Sequence, residues 1–219
     1  MSSTILCIGD LHLTLNNFDK KQEKIKKKIQ QLKVTKIILL GDTVDESYEE
    51  LSNLGFKKFL SKLSKFIYFL KEHAQEIIIT PGNHDDEFFK VYGSKFHIKI
   101  SHTHIEHINT QNYLFLHGHQ FDSRIFVHRC VRFLGIKKNL RKKLKKPSYY
   151  FDNSFQSRQK AALRYTKRLI SEKECNIILG HFEEEKKYHV ENRKFILLPT
   201  LHSGDAKILA IRDKSMAFI

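Results

Sequence analysis

The feature that most constrains this chain is a series of five apolar runs, each of which ends in side chains that can ligate a metal ion. Each run has the length and composition of a buried β-strand, and a short polar motif follows it. The five motifs are Asp10-Leu-His12, Gly41-Asp42-Thr-Val-Asp45, Gly82-Asn83-His84-Asp85, His117-Gly-His119 and Gly180-His181-Phe-Glu183. Acid, amide and imidazole groups that arrive from successive strand ends are the ligands that a two-metal hydrolytic site needs.

Strands and helices alternate in the first half of the chain. The patterns predict strands at Leu6–Ile8, Lys36–Leu40 and Glu76–Thr80, with amphipathic helices at Phe18–Leu32 and Phe56–Leu70 between them. This alternation predicts a parallel βαβαβ core with right-handed crossovers. Ligands of such sheets collect outside the carboxyl ends of the strands, which is where the first three motifs lie.

The second half predicts another, more antiparallel sheet, because short apolar runs alternate there with turn residues. Its predicted strands are His104–Asn109, Tyr113–His117, Asn176–Leu179, Lys187–Val190, Lys194–Leu198, Lys207–Ile211 and Met216–Ile219. The length of 219 residues predicts a single domain, residues 1–219, that carries a basic helical cap inserted at residues 123–173.

The positive charge of the chain is concentrated in that insertion. Fifteen of the 39 Lys and Arg residues lie between Ser123 and Arg168, against the single acid Asp152, so this segment carries +14 of the net charge of +15. Such segregation predicts an anionic partner, which is a membrane surface, a nucleic acid or a polyphosphate. The alternative is a solvated helical surface whose lysines contact only water.

The insertion also has the two faces of a lipid-binding helix. Ile136, Leu140 and Leu144 recur at helical spacing, and six Lys or Arg residues surround them. A helix of this kind can lie in a lipid head-group layer. A helix packed on the core is the alternative, and the aromatic run at residues 149–151 keeps base stacking, and with it a nucleic acid partner, open.

The cysteines and the hydropathy bear on location. Cys7, Cys130 and Cys175 are far apart and form no Cys-x-x-Cys pair, which favours a reducing compartment and argues against a structural zinc site. No run approaches the ~20 apolar residues that a membrane span needs. The sequence therefore predicts a cytoplasmic protein, attached peripherally to the inner membrane if the insertion binds lipid.

The first two motifs have simple chemical interpretations. Asp10 and His12 are two residues apart, so in an extended strand their side chains point the same way and can reach one ion. Asp42 can bridge two cations because its carboxylate has two oxygens with separate lone pairs. Gly41 before it permits the sharp turn that brings this carboxylate to the strand end.

The remaining motif residues divide into candidate ligands and supporting groups. Asp45 either supports a ligand from behind or caps the helix that follows. The carbonyl oxygen of Asn83 suits a hard or borderline divalent ion, and His84 beside it is predicted to face the substrate. His117 and His181 each supply an imidazole directly after an apolar strand.

On these motifs, the chain resembles the calcineurin-like metallophosphoesterases from residue 5 to about residue 211. The resemblance implies an α/β fold in which a double β-sheet sandwich is flanked by helices. It also implies two divalent metal ions, with Mn favoured and Fe, Zn, Ni or Mg as alternatives. By this resemblance the first metal binds Asp10, His12 and Asp42, and the second binds Asp42, Asn83, His117 and His181.

One residue departs from the family pattern. The family usually closes its ligand series with Gly-His-x-His, whereas this chain has Glu183 at the last position. Three outcomes stay open: Glu183 ligates the first metal through oxygen, which favours Mn²⁺; water takes the position; or the first metal is weak or absent.

The segment His117-Gly-His-Gln-Phe-Asp122 before a helical insertion resembles the UDP-2,3-diacylglucosamine diphosphatase branch, whose enzymes act in lipid A synthesis. That branch often has Asn-Arg-Asp in the third motif, where this chain has His84 in the middle. The resemblance implies that a hydroxide bridging two metals hydrolyses a phosphate ester or diphosphate, in a phosphorylated small molecule or a nucleotide-lipid. His84 and Asp45 would act in catalysis. The substrate-binding residues that it suggests are His119, Asp122, Arg124, Arg158 and Lys160.

Two other functions are compatible with the same motifs. A nuclease or nucleotide phosphodiesterase would use the same centre and place the basic insertion on a nucleic acid backbone. A non-catalytic scaffold with a decayed metal site is the third hypothesis, and Glu183 is its only support. The oligomeric state stays open.

Overall fold

The computed structural model describes residues 4–121, 175–181, 185–190, 193–199, 208–212 and 215–219. The described chain divides into one compact unit, Met1–His117 with Glu174–Ile219, and a second unit, Gly118–Lys173, of which residues 118–121 are described. The predicted insertion at 123–173 lies outside the described residues, so both the helical cap and the single domain stay predictions.

Strands and helices alternate in the first half, as predicted, and strands follow in the second. In chain order the elements are β1 (Thr4–Gly9), α1 (Phe18–Gln30), β2 (Lys36–Leu40), α2 (Asn53–His73), β3 (Glu76–Thr80), α3 (Asp86–Tyr92), β4 (Lys99–Ile100), β5 (His104–Ile108), β6 (Gln111–Leu116), β7 (Cys175–Leu179), β8 (Lys186–Val190), β9 (Arg193–Leu197), β10 (Leu209–Arg212) and β11 (Ser215–Phe218). Short 3₁₀ helices lie at Glu46–Glu50, Gly93–Phe96 and His119–Phe121. The bounds of β2 and β3 match the sequence prediction residue for residue.

The elements form two sheets. The first has the order β11-β10-β1-β2-β3-β4, in which β1 to β4 are parallel neighbours. The second has the order β5-β6-β7-β9-β8 and is mixed, because β7 runs parallel to both β6 and β9. The double-sheet α/β fold predicted from the sequence is therefore confirmed.

The placement of the last two strands in the second sheet was wrong. β10 pairs antiparallel with β1, with Thr4 opposite Arg212, and so extends the first sheet. All six residues of β1 are buried, which an edge strand with one side open to water would not be. β10 covers that side, and its own residues Leu209, Ala210 and Ile211 are buried in turn.

The apolar core has two layers, one on each face of the first sheet. Alternate residues of β2 point to opposite faces, so Ile37 and Leu39 pack with the helices, whereas Ile38 and Leu40 pack with the second sheet. The helix-side layer is rich in Phe, with Phe18 of α1 in edge-to-face contact with Phe59, centroid to centroid 5.8 Å. Among the described residues, no helix has both the length and the apolar composition needed to cross a membrane.

Candidate metal centre

The strand-end loops bend sharply where the motifs begin. Asp10, His12, Asp42 and His181 have φ values of 49°, 42°, 44° and 68°, in the left-handed region that non-glycine residues rarely adopt. Such strain concentrates at functional sites, where surrounding contacts fix it. The prediction that Asp10 and His12 lie in an extended strand was therefore wrong, because the left-handed turns direct their carboxylate and imidazole toward different neighbours.

Backbone hydrogen bonds join the loop after β1 to the loop after β2. The N–H of Asp10 donates to the carbonyl of Gly41 at 3.2 Å, and that of His12 donates to the carbonyl of Asp42 at 2.7 Å. The next residue, Leu13, donates to Thr43 at 2.9 Å. Two of the ligand loops are therefore held against each other by backbone hydrogen bonds.

Asp42 is the residue on which the site converges. Its carboxylate is buried and belongs to two groups of metal-ligating side chains, one with His12 and His84 and the other with His117 and His181. In each group the ligand atoms all lie within 4.8 Å of one another. One oxygen, Oδ2, lies 3.2 Å from His117 Nε2, 3.8 Å from His12 Nε2 and 3.9 Å from His84 Nε2.

His117 is oriented by the strand beside it. Its Nδ1 lies 3.2 Å from the carbonyl oxygen of Leu40, which can only accept, so Nδ1 carries the proton and Nε2 faces Asp42. Burial alone would lower the pKa of His117, but the Asp42 and Asp10 carboxylates outweigh it and raise the pKa to about 9. In turn His117 outweighs burial and holds the pKa of Asp42 well below its usual range. The pair thus has the charges and distance of an ion pair at a position where a cation can replace the imidazole proton.

The carboxylate of Asp10 is turned toward the second group of ligands. Its Oδ2 accepts a hydrogen bond from the N–H of His181 at 2.8 Å, and its Oδ1 lies 3.9 Å from Nδ1 of His117. Burial raises the pKa of Asp10 to about 6, against the lowering effect of His117. Asp10 therefore lies beside both histidines of the second group, and its assignment to the first metal stays a prediction.

The third motif joins the site through its backbone. The N–H of His84 donates to Asp42 Oδ1 at 2.9 Å, and a Cβ on Gly82 would meet that same oxygen at 2.1 Å. Asn83 therefore stands between two residues that contact the Asp42 carboxylate. Its Oδ1 is buried and has no hydrogen-bond partner among the described residues. A buried acceptor without a donor is costly, and a divalent cation would satisfy it, so the donor set fits such an ion.

Asp85 is the last residue of the third motif, and no role was predicted for it from the sequence. The side chain is fully buried, and it accepts three backbone hydrogen bonds, from Gly82 at 2.7 Å, Thr43 at 2.6 Å and Val44 at 3.2 Å. Burial and the nearby Asp42 raise its pKa to about 7, against the lowering effects of the Gly82 and Val44 N–H groups and of His117. Asp85 therefore ties the loop after β2 to the loop after β3.

Asp45 combines the two alternatives that its sequence position left open. Its Oδ1 accepts from the N–H of Ser47 at 2.8 Å and so caps the helix Glu46–Glu50. Its Oδ2 lies 3.4 Å from Nδ1 of His12, and this contact holds the pKa of Asp45 well below its usual range. It can therefore orient the His12 ring from behind.

Of the remaining predicted site residues, only His119 lies in the part of the chain that the structure describes. His119 begins the short helix His119–Phe121 and is buried, and its substrate role stays a prediction. Asp122, Arg124, Arg158, Lys160 and Glu183 lie outside the described residues.

The sequence interpretation also missed Lys21, which was taken as one of the lysines between the apolar positions of α1. Its spacing of three residues from Phe18 and four from Ile25 was the available signal, since all three are buried.

Comparison with known protein families gives the class. The model of the calcineurin-like phosphoesterase family matches residues 3–209, so this chain belongs to that family. The family usually binds divalent metals, in agreement with the two groups of ligands around Asp42. A search of curated proteins gave no match.

Solved structures with the same fold cover nearly the whole chain. A structure described as a novel archaeal phosphodiesterase is 18% identical, with a TM-score of 0.50, and covers 99% of this chain and 98% of its own. Vacuolar protein sorting 29 of Cryptosporidium parvum is 13% identical, with a TM-score of 0.52 and coverages of 99% and 89%. A Thermotoga maritima protein is 13% identical, with a TM-score of 0.52 and coverages of 99% and 97%. At these identities the likeness is one of fold alone.

Proposed function

We propose that this protein is a phosphoesterase with two divalent metal ions, which hydrolyses a phosphate ester or a diphosphate. The observation that carries the proposal is Asp42, one carboxylate that belongs to both groups of ligating side chains. A shared carboxylate can bridge two cations. Mn²⁺ is the favoured ion because the donor set mixes carboxylate and amide oxygens with imidazole nitrogens.

Each group in the site has a task in this mechanism. When bound, the cations would act as Lewis acids on the phosphoryl oxygens and would lower the pKa of a water nucleophile. Asp42, His117 and His181 would hold one cation together with Asn83, and His12 and Asp42 would hold the other. His84, whose pKa burial lowers, would be neutral near pH 7. A neutral imidazole can donate a hydrogen bond from its protonated nitrogen to a phosphoryl or leaving-group oxygen.

The direct test is to replace Asp42 by Asn, which keeps the shape and removes the charge from both metal groups. We expect Mn²⁺-stimulated hydrolysis of bis(p-nitrophenyl) phosphate to fall at least about 100-fold, the scale of a lost electrostatic contact in a dry site. The matched control is Glu23→Gln, which removes a carboxylate from the exposed face of α1. Full activity in Asp42→Asn would overturn the two-metal assignment.

The proposed substrate is a nucleotide-lipid diphosphate of the UDP-2,3-diacylglucosamine kind. Support comes from the segment between His117 and Asp122 and from the basic, amphipathic sequence that follows it. Arg124, Arg158 and Lys160 would bind phosphates there, because guanidinium and ammonium groups form charge-assisted hydrogen bonds with them. A Mn²⁺-supplemented panel of UDP-diacylglucosamine, single-stranded DNA, cyclic nucleotides and simple monoesters tests this choice. Preferential hydrolysis of the lipid nucleotide supports it, and preference for any other member refutes it.

Two similar structures favour the alternatives. The likeness to a protein described as a phosphodiesterase keeps a nuclease or nucleotide phosphodiesterase open. The likeness to vacuolar protein sorting 29 keeps a non-catalytic scaffold open, since that name describes protein sorting and no hydrolysis. Cleavage of DNA in the panel would select the nuclease. Absence of hydrolysis of every substrate with Mn²⁺, Fe²⁺ and Zn²⁺ would select the scaffold.

The insertion is proposed to bind an anionic membrane surface, which would keep the protein peripheral on the cytoplasmic face. The support is its net charge of +14 together with apolar residues that recur at helical spacing in the sequence. Replacing the basic residues between Lys137 and Lys146 by Gln should release the protein from vesicles that contain phosphatidylglycerol. Unchanged sedimentation with these vesicles would contradict the proposal.

A further inference from the structure

Lys21 of α1 is a buried cation that points at the backbone of the first ligand loop. Its side chain is only 9% exposed, whereas its neighbour Lys20 is exposed. The ammonium donates a hydrogen bond to the carbonyl of Leu11 at 2.5 Å and a longer one to the carbonyl of His12 at 3.4 Å. Burying an ammonium is costly unless its protons form hydrogen bonds, and here they bond to the carbonyls of Leu11 and of the metal-ligand candidate His12.

Asn17 contacts the same carbonyl from the start of α1. Its Nδ2 donates to the carbonyl of His12 at 2.9 Å, and its Oδ1 accepts from the N–H of Thr14 at 2.8 Å. The His12 carbonyl is thus bonded by two side chains of the helix. These bonds hold the carbonyl side of the His12 residue, whereas its N–H is held on the opposite side by the hydrogen bond to the carbonyl of Asp42.

The ligand loop is therefore held along both of its edges. On one edge the N–H groups of Asp10, His12 and Leu13 pair with the loop after β2. On the other edge the carbonyls of Leu11 and His12 pair with the helix. Buried carbonyls in a loop need donors that regular structure does not supply, and the left-handed φ of 42° at His12 persists only if its surroundings enforce it.

We propose that Lys21 and Asn17 are positioning residues for metal binding, which hold the His12 imidazole toward Asp42 by fixing the peptide carbonyls of Leu11 and His12. The proposal rests on the proposed function, in that the His12 group is taken to bind a cation. In this role the Lys21 ammonium would act through the backbone carbonyls that it contacts and would not itself ligate the cation.

The sign of the effect separates this role from simple electrostatics. A cation near a metal site repels the metal, so removing the Lys21 charge without structural consequence would tighten metal binding. If Lys21 positions the loop, its removal loosens His12 and weakens metal binding instead. The control Lys20→Met removes one positive charge from the exposed side of the same helix, and it accounts for the change in net charge of the protein.

The experiment measures Mn²⁺ affinity of the metal-stripped full-length protein by the electron paramagnetic resonance signal of free Mn²⁺. The variants are Lys21→Met, which keeps the length of the side chain, and Asn17→Ser, which keeps a helix-capping residue but is too short to reach His12. We expect Lys21→Met to weaken one Mn²⁺ site at least about tenfold and Asn17→Ser about threefold, since hydrogen bonds from charged donors are the stronger ones. Lys20→Met should bind as the wild type does or slightly tighter.

Three results decide the matter. Equal or tighter Mn²⁺ binding by Lys21→Met, in a protein whose circular dichroism spectrum is native, overturns the positioning role while leaving the proposed function intact. Wild-type protein that binds no divalent metal overturns the proposed function and this inference with it. If Lys21→Met does not fold, Asn17→Ser decides alone, and unchanged Mn²⁺ affinity in that variant overturns the proposal.

Discussion

The carboxylate of Asp85 should be worth more to stability than any exposed acid of the chain. It accepts three buried backbone N–H groups, two on Oδ2 from Thr43 and Val44 and one on Oδ1 from Gly82. In Asp85→Asn the single amide oxygen can still accept hydrogen bonds from the N–H groups of Thr43 and Val44. The amide NH₂ then faces the N–H of Gly82, so two buried donors point at each other and neither has an acceptor there.

The expected loss follows from that count. One lost hydrogen bond, with two buried donors left facing each other, costs about 2–3 kcal/mol. For a domain of this size each kcal/mol lowers Tm by roughly 2–4 °C, so a fall of about 4–12 °C is expected. Two effects oppose this loss, because Asp85→Asn relieves both the burial of a charge and its repulsion by Asp42, which together raise the pKa of Asp85 to about 7. A cation on Asp42 would cancel the repulsion but not the burial cost, so the loss should be larger with Mn²⁺ than with EDTA.

The assay is thermal unfolding followed by circular dichroism, with EDTA and with Mn²⁺. The matched control is Asp86→Asn at the next position, where the partly exposed carboxylate forms an i, i+4 ion pair with the exposed Lys90 at 2.8 Å and lies 3.6 Å from Nε2 of the exposed His102. Surface pairs of this kind contribute about 0.3–0.5 kcal/mol each, so this variant should lose less than about 1 kcal/mol and clearly less than Asp85→Asn. The reasoning is refuted if Asp85→Asn unfolds as the wild type does, or if the two variants lose the same stability.

Two further predictions concern other parts of the fold. Gly41→Ala should destabilise by more than about 3 kcal/mol, because its Cβ would lie 2.0 Å from His117 Nδ1 at a φ of +77°, and near-native unfolding in urea would contradict this. Glu106→Gln should cost about 1–2 kcal/mol at pH 7, because burial is outweighed by hydrogen bonds from His104 and Lys36, which lower the pKa of Glu106 from 4.5 to about 2. That stability is present above pH 4.5 and is lost as the pH falls toward 2. The free energies of unfolding of the wild type and of Glu106→Gln, measured against pH, should therefore converge over this window.

The parts of the fold that could be predicted are those in which one short segment carries its own signal. β2 and β3 were predicted to the residue because each apolar run is bounded by a charged residue and by a turn motif. α3 was not predicted, since its seven residues offer only Phe88 and Phe89 as buried positions, fewer than a helical period needs to be visible. The pairing of β1 with β10 joins segments some 200 residues apart in the chain, and no local sequence pattern predicts it.

The same division applies to the site. Residue types and their order at the strand ends indicated Asp42, His117 and His181, which the structure brings together. The turn of Asp10 toward His181 was not predictable, because the left-handed φ at Asp10 is imposed by the loop after β2. Lys21 was missed because a lysine on a helix is ordinarily solvated. Its position among the buried residues of α1 is explained by the carbonyls of Leu11 and His12, which the sequence pattern does not reveal.

Backbone strain at the site bears on the choice between an enzyme and a scaffold. Among the described residues with a left-handed φ other than glycine, four belong to the ligand motifs. At about 1–3 kcal/mol each, they cost at least about 4 kcal/mol, and the buried, mutually repelling carboxylates of Asp10 and Asp42 add to that. Two divalent cations would offset these costs, and the loops would need little further ordering to bind them, which favours affinity. A scaffold with a decayed centre would carry the same strain and the same buried acids without the ions that offset them, so the geometry around Asp42 argues for a centre that binds metal.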